Sequence, residues 1–84
     1  MSEQPNYGPA EVIFGAGVFL ESPRWHQGAY WFSDIGGGKV YRIDPADGKA
    51  QVMLSGMPGP SGLGWTSQGD MLLAALHDST IYRV

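Results

Sequence analysis

The chain has 84 residues, with 13 glycines, 6 prolines, no cysteine and a formal net charge of −3 at pH 7. That length allows one small, marginally stable domain, and without cysteine neither a disulfide framework nor a thiolate metal site can reinforce it. The acidic balance gives no footprint for nucleic acid, no apolar run approaches the roughly 20 residues of a membrane span, and the glycine and proline content favours turns over long helices.

Residues 1–10, MSEQPNYGPA, hold two prolines, a glycine and little that can pack, and read as a flexible leader. The leader is polar and has no basic residue, so it is neither a secretory signal nor a transit peptide. A cytoplasmic setting is the default expectation. In residues 11–17, Val12, Ile13 and Phe14 predict one short strand, which Gly15, Ala16 and Gly17 then break. A second strand is predicted over 18–25. Pro23 lies within it and donates no ladder bond, which suits an edge, a bulge or an interior strand facing a channel. His26, Gln27 and Gly28 turn the chain into a strand over 29–34, filled by Tyr30, Trp31 and Phe32. Gly36, Gly37 and Gly38 turn it again into a strand over 39–44, filled by Val40, Tyr41 and Ile43. Bulky aromatic and β-branched side chains bounded by glycines are the strand signature, because they pack well on a pleated surface. Asp44-Pro45-Ala46-Asp47-Gly48 carries the strongest turn signal. Over 49–54, Ala50, Val52 and Leu54 alternate against Lys49, Gln51 and Met53, as a fourth strand would. A glycine- and proline-bearing connection follows.

The pattern then begins again. Pro60-Ser61-Gly62-Leu63-Gly64-Trp65 ends in tryptophan, as Glu21-Ser22-Pro23-Arg24-Trp25 does. An apolar strand is predicted from Asp70 to Leu76, and Thr80-Ile81-Tyr82-Arg83-Val84 matches Lys39-Val40-Tyr41-Arg42-Ile43. Trp25 to Trp65 is 40 positions, and Tyr41 to Tyr82 is 41. A repeat of that length with four strands per unit predicts β-propeller blades. The runs Tyr30-Trp31-Phe32 and Met71-Leu72-Leu73-Ala74-Ala75-Leu76 put apolar groups on both faces of their strands, unlike a sheet wet on one side. The expected fold class is therefore all-β, of propeller type. Residues 18–56 give a first blade of four strands, and residues 57–84 give an incomplete second blade of three. The chain holds about one and three-quarter blades. The strand at 12–14 is expected to close a ring as the outer strand of a last blade. Closing that ring needs remaining blades or further copies of the chain.

Three runs resemble the first blade of the gluconolactonase / senescence marker protein / luciferin-regenerating enzyme family: Glu21-Ser22-Pro23-Arg24-Trp25, Tyr30-Trp31-Phe32-Ser33-Asp34-Ile35, and Gly38-Lys39-Val40-Tyr41-Arg42-Ile43-Asp44-Pro45. Pro60-Ser61-Gly62-Leu63-Gly64-Trp65 followed by Gly69-Asp70-Met71-Leu72 is similar to its second. The resemblance implies a six-bladed propeller with a divalent cation, calcium or zinc, in its central channel. It implies hydrolytic ring opening of a small sugar lactone as the activity. One family ligand is a glutamate just before a Ser/Pro-x-Trp run on the innermost strand of the first blade, and Glu21 matches that position. The other ligands, an asparagine and an aspartate that is also the favoured general base, lie in later blades that this sequence does not contain. The resemblance thus implies the N-terminal fragment of a metal-dependent lactonase, inactive alone. Two alternatives belong to other classes: a non-catalytic propeller module for binding or scaffolding, and a trimer of two-blade chains that assembles itself.

A hard cation needs several convergent oxygen ligands, and read from its residues alone Glu21 is an exposed carboxylate at a strand end. Asp34 ends a strand and could reach the channel, although capping a turn is the commoner task. Asp44 and Asp47 belong to a turn. His26 and His77 are 51 positions apart, at no metal-ligand spacing, and are expected to be solvated turn residues. Trp25 and Trp65 are expected to pack between blades. Ser22 and Ser61 have no partner base for nucleophilic catalysis, and Gly36 to Gly38 lacks the pattern and helix of a dinucleotide site.

Overall fold

Residues 8–84 are described in a computed structural model. The expected leader falls outside them up to position 7. Seven strands follow in order: β1 (Leu20–His26), β2 (Ala29–Asp34), β3 (Lys39–Ile43), β4 (Ala50–Leu54), β5 (Pro60–Trp65), β6 (Met71–Ala75) and β7 (Thr80–Arg83). They form two antiparallel meanders, a four-stranded sheet β1-β2-β3-β4 and a three-stranded sheet β5-β6-β7. This all-strand architecture is consistent with propeller blades.

Local chemistry explains each sheet. Gln27 and Gly28 form a two-residue hairpin loop between paired His26 and Ala29, and both have positive φ, 49° and 74°. That is the turn hand that matches the right-handed twist of the flanking strands. Between the pairs Glu21↔Ser33 and Arg24↔Trp31, Ser22 and Pro23 together face Phe32 alone, which is a β-bulge. Pro23 therefore forfeits no regular ladder bond. A matching irregularity interrupts β5 between Pro60 and Leu63.

Side-chain alternation gives each sheet an inner and an outer face. The core lies between the sheets. Val40 of the first meets Leu63, Met71 and Leu73 of the second, and Trp31, Leu54, Trp65 and Tyr82 pack around them. Burial of each such aliphatic side chain is worth about 1.5–3 kcal/mol. β5 packs against both β1 and β2, so the first strands of the two meanders lie side by side.

Three expectations need correction. Val12, Ile13 and Phe14 are not in a strand. They pair with no strand among the described residues, and Phe14 instead lays its ring on Phe32 and Tyr41, centroids 4.9 and 4.8 Å away. Trp25 does not pack between the two sheets. It sits on the far face of the first sheet against Tyr30 and is 61% exposed, because alternation points it away from the second sheet. Trp65 does bridge the sheets, stacking on His26 at 3.8 Å and meeting Trp31 edge-on. His26 is consequently a half-buried stacking partner at the end of β1, not a solvated turn residue.

Candidate functional site

Glu21 is exposed near the start of β1, where that strand runs beside β5. Its carboxylate Oε2 accepts a hydrogen bond of 2.9 Å from the Ser61 hydroxyl. The Ser61 carbonyl in turn accepts from the hydroxyl of Ser33, the fully buried residue directly across the ladder from Glu21. One serine thus ties the two first strands together and fixes the carboxylate. Glu21 and Ser61 are 40 positions apart, the period of the repeat, so equivalent points of successive sheets lie at one level. Glu21 flanks the bulge of β1 and Ser61 lies within that of β5, the kind of irregularity that re-aims a side chain. Ser22, inside the first bulge, holds a left-handed backbone at φ 54°, a conformation that costs a non-glycine residue about 1 kcal/mol or more.

Asp34 does not join this site. Its side chain is buried and accepts N–H bonds from Val18 (3.1 Å), Phe19 (2.9 Å) and Gly37 (3.0 Å). Burial pushes its carboxyl up, but the three backbone donors and nearby Lys39 outweigh that and hold it below its ordinary value. The turn depends on glycine here, since a Cβ at Gly37 would lie 2.5 Å from an Asp34 oxygen. Asp44 and Asp47 each cap their turn, accepting from Ala46 and Lys49 at 2.9 Å. His77 is exposed. Among the described residues no histidine bonds Ser22 or Ser61, so neither serine has a base. Nor do three His, Cys, Asp or Glu side chains gather anywhere among them. Glu21 is a single hard oxygen donor, held in place and open to solvent.

A family model for the SMP-30/gluconolactonase/LRE-like region matches residues 19–84, from just before β1 through both sheets. The chain belongs to this family. No curated protein matches it. In this SMP-30/gluconolactonase/LRE-like chain, sequence reasoning singled out Glu21 but assigned nothing to Ser33, and it weighed Ser61 only as a nucleophile. The signal that could have found Ser61 is the repeat itself. Stepping 40 positions from Glu21 lands on it, and neighbouring blades put such positions side by side.

Proposed function

We propose that the two sheets are the first two blades, residues 18–56 and 57–84, of a six-bladed lactone hydrolase, with Glu21 as one ligand of a divalent cation, calcium or zinc, in its channel. The observation that carries this reading is the Ser61-to-Glu21 bond. It holds an exposed carboxylate between the adjacent first strands of two neighbouring sheets, in a chain of this family. The residue fits a hard cation as one oxygen ligand and fits it no further, because no group of three or more His, Cys, Asp or Glu side chains gathers among the described residues. When bound in the complete channel, the cation would supply polarisation of the lactone carbonyl and a more acidic water. Glu21 contributes charge and position, and Ser61 contributes its orientation. The remaining ligands and the base that accepts the water's proton come from further blades. The position of Phe14 over the outer face of the first sheet supports a closing role for residues 11–17, since a last blade would pack on that face.

The 84 residues alone should therefore hydrolyse no sugar lactone above the uncatalysed rate. They should bind calcium or zinc only weakly, with a dissociation constant on the order of millimolar. Amide chemical shifts during a calcium or zinc titration test the assignment. Changes should centre on Glu21 and Ser61 and vanish in Glu21→Gln. Changes that survive Glu21→Gln would remove Glu21 from the reading.

A further inference from the structure

The interface inside the chain has a second copy of each of its halves on the outer faces, one of them partly covered by Phe14. Within the chain, Trp65, Met71, Leu73 and Tyr82 of the second sheet cover Trp31, Val40 and Leu54 of the first. One repeat earlier, the first four residues become Trp25, Tyr30, Phe32 and Tyr41, and these lie on the outer face of the first sheet. One repeat later, Trp31 and Val40 become Leu72 and Ile81, on the outer face of the second sheet. The ladders show the equivalence in register. Trp25↔Tyr30 and Phe32↔Tyr41 repeat as Trp65↔Met71 and Leu73↔Tyr82, and Trp31↔Arg42 repeats as Leu72↔Arg83. Burial repeats only in part. Val40 is 0% exposed and its equivalent Ile81 68%. On the first sheet Trp25 is 61% exposed, whereas Phe32, the equivalent of Leu73, is 8% exposed beneath the ring of Phe14. The chain thus carries both halves of an interface it already makes once, on opposite sides of the molecule.

We propose that, for this chain by itself in solution, the outer face of the second sheet docks on the outer face of the first sheet of another copy, continuing the internal contact head to tail into a closed ring. The occupant is a second copy because its first sheet offers Trp25 and Tyr30, equivalents of the residues that cover Trp31 and Val40 within the chain. Val12 and Ile13, exposed beside Phe14, extend that face. A contact between two different faces must close by rotation or grow without limit, and each copy adds two sheets to the turn. The ring size rests on the reading above. Six blades need three chains.

Light scattering after size-exclusion chromatography, over a wide concentration range, tests this. The expected result is one discrete species at a whole multiple of the 9.0 kDa chain, about 27 kDa for three copies. A different discrete multiple would keep the contact and count against six blades. A 9.0 kDa monomer throughout, or mass growing without limit, would overturn the proposal. Ile81→Asp and Trp25→Asp each spoil one face at an exposed position, so circular dichroism should stay that of the parent. If Trp25→Asp loses its strand signal, Tyr30→Lys replaces it. Each variant alone should be monomeric. Mixed in equal amounts, they should pair through their intact faces at about 18 kDa, twice the 9.0 kDa chain. A mixture that stays monomeric, or either variant still forming the parent species, would overturn head-to-tail docking.

Discussion

Asp34 and Glu21 lie near the same end of one sheet, and their surroundings give them opposite tasks. Asp34 turns inward and takes three backbone donors. Asp34→Ala leaves those N–H groups without their acceptor and should destabilise the fold by roughly 2–4 kcal/mol, read from urea unfolding. The same carboxylate sets an acid limit. Its folded pKa is lowered from an ordinary value of 3.8, so its contribution is fully present above that value and is lost as the pH falls through the folded pKa below it. Asp34→Asn should flatten the fall in thermal midpoint below about pH 4, and an unchanged slope would mean other groups govern acid unfolding. Glu21 turns outward, and its carboxylate accepts a hydrogen bond from Ser61. Ser61→Ala should cost about 0.5–1.5 kcal/mol or less in stability. It should also weaken the calcium-induced shifts at Glu21 without abolishing them, since the charge remains.

Strands β2 and β3 and the turns were legible from residue type alone, because glycine clusters and the Asp-Pro turn punctuate runs of aromatic and β-branched residues. The hairpin between β1 and β2 shows the mechanism most cleanly. Both loop residues have positive φ, yet only Gly28 accepts that without strain. Gln27→Asn places a residue that tolerates the left-handed region and should raise stability by a few tenths to about 1 kcal/mol, seen as a higher denaturation midpoint. A lower midpoint would mean that the Gln27 side chain contributes a contact beyond its backbone. The segment 12–14 was not legible in the same way. Its apolar run reads as a strand, but a strand exists only where a neighbour supplies hydrogen-bond partners. Here the ring of Phe14 finds an aromatic surface, and the backbone of its segment finds no ladder.

The two sheets share one core, so neither should unfold alone. Leu73→Ala removes a fully buried side chain at their junction and should cost about 2–5 kcal/mol. Tryptophan fluorescence, which reports the junction through Trp31 and Trp65, and circular dichroism, which reports both sheets, should shift together. Two separated transitions would show that the sheets are independent units. The same geometry leaves large apolar groups on both outer faces, and a free sheet face of that kind favours association. Association and intramolecular packing draw on the same residues at equivalent positions, so variants must be chosen on the outer faces to tell them apart.

The sequence by itself determined the repeat, the strand order, the turn positions and the family, because these follow from local periodicity and from residues a few positions apart. It also marked Glu21, through the motif that contains it. Only the tertiary structure decided which side of each sheet is covered. Trp25 and Trp65 occupy equivalent positions 40 residues apart, but one is exposed and the other stacked on His26 and Trp31. The difference is not in either tryptophan. It lies in the presence of a neighbouring sheet on one side, a relation between distant residues that no local pattern carries. The Glu21–Ser61–Ser33 link has the same origin, since it exists only because β5, far away in sequence, packs against β1 and β2.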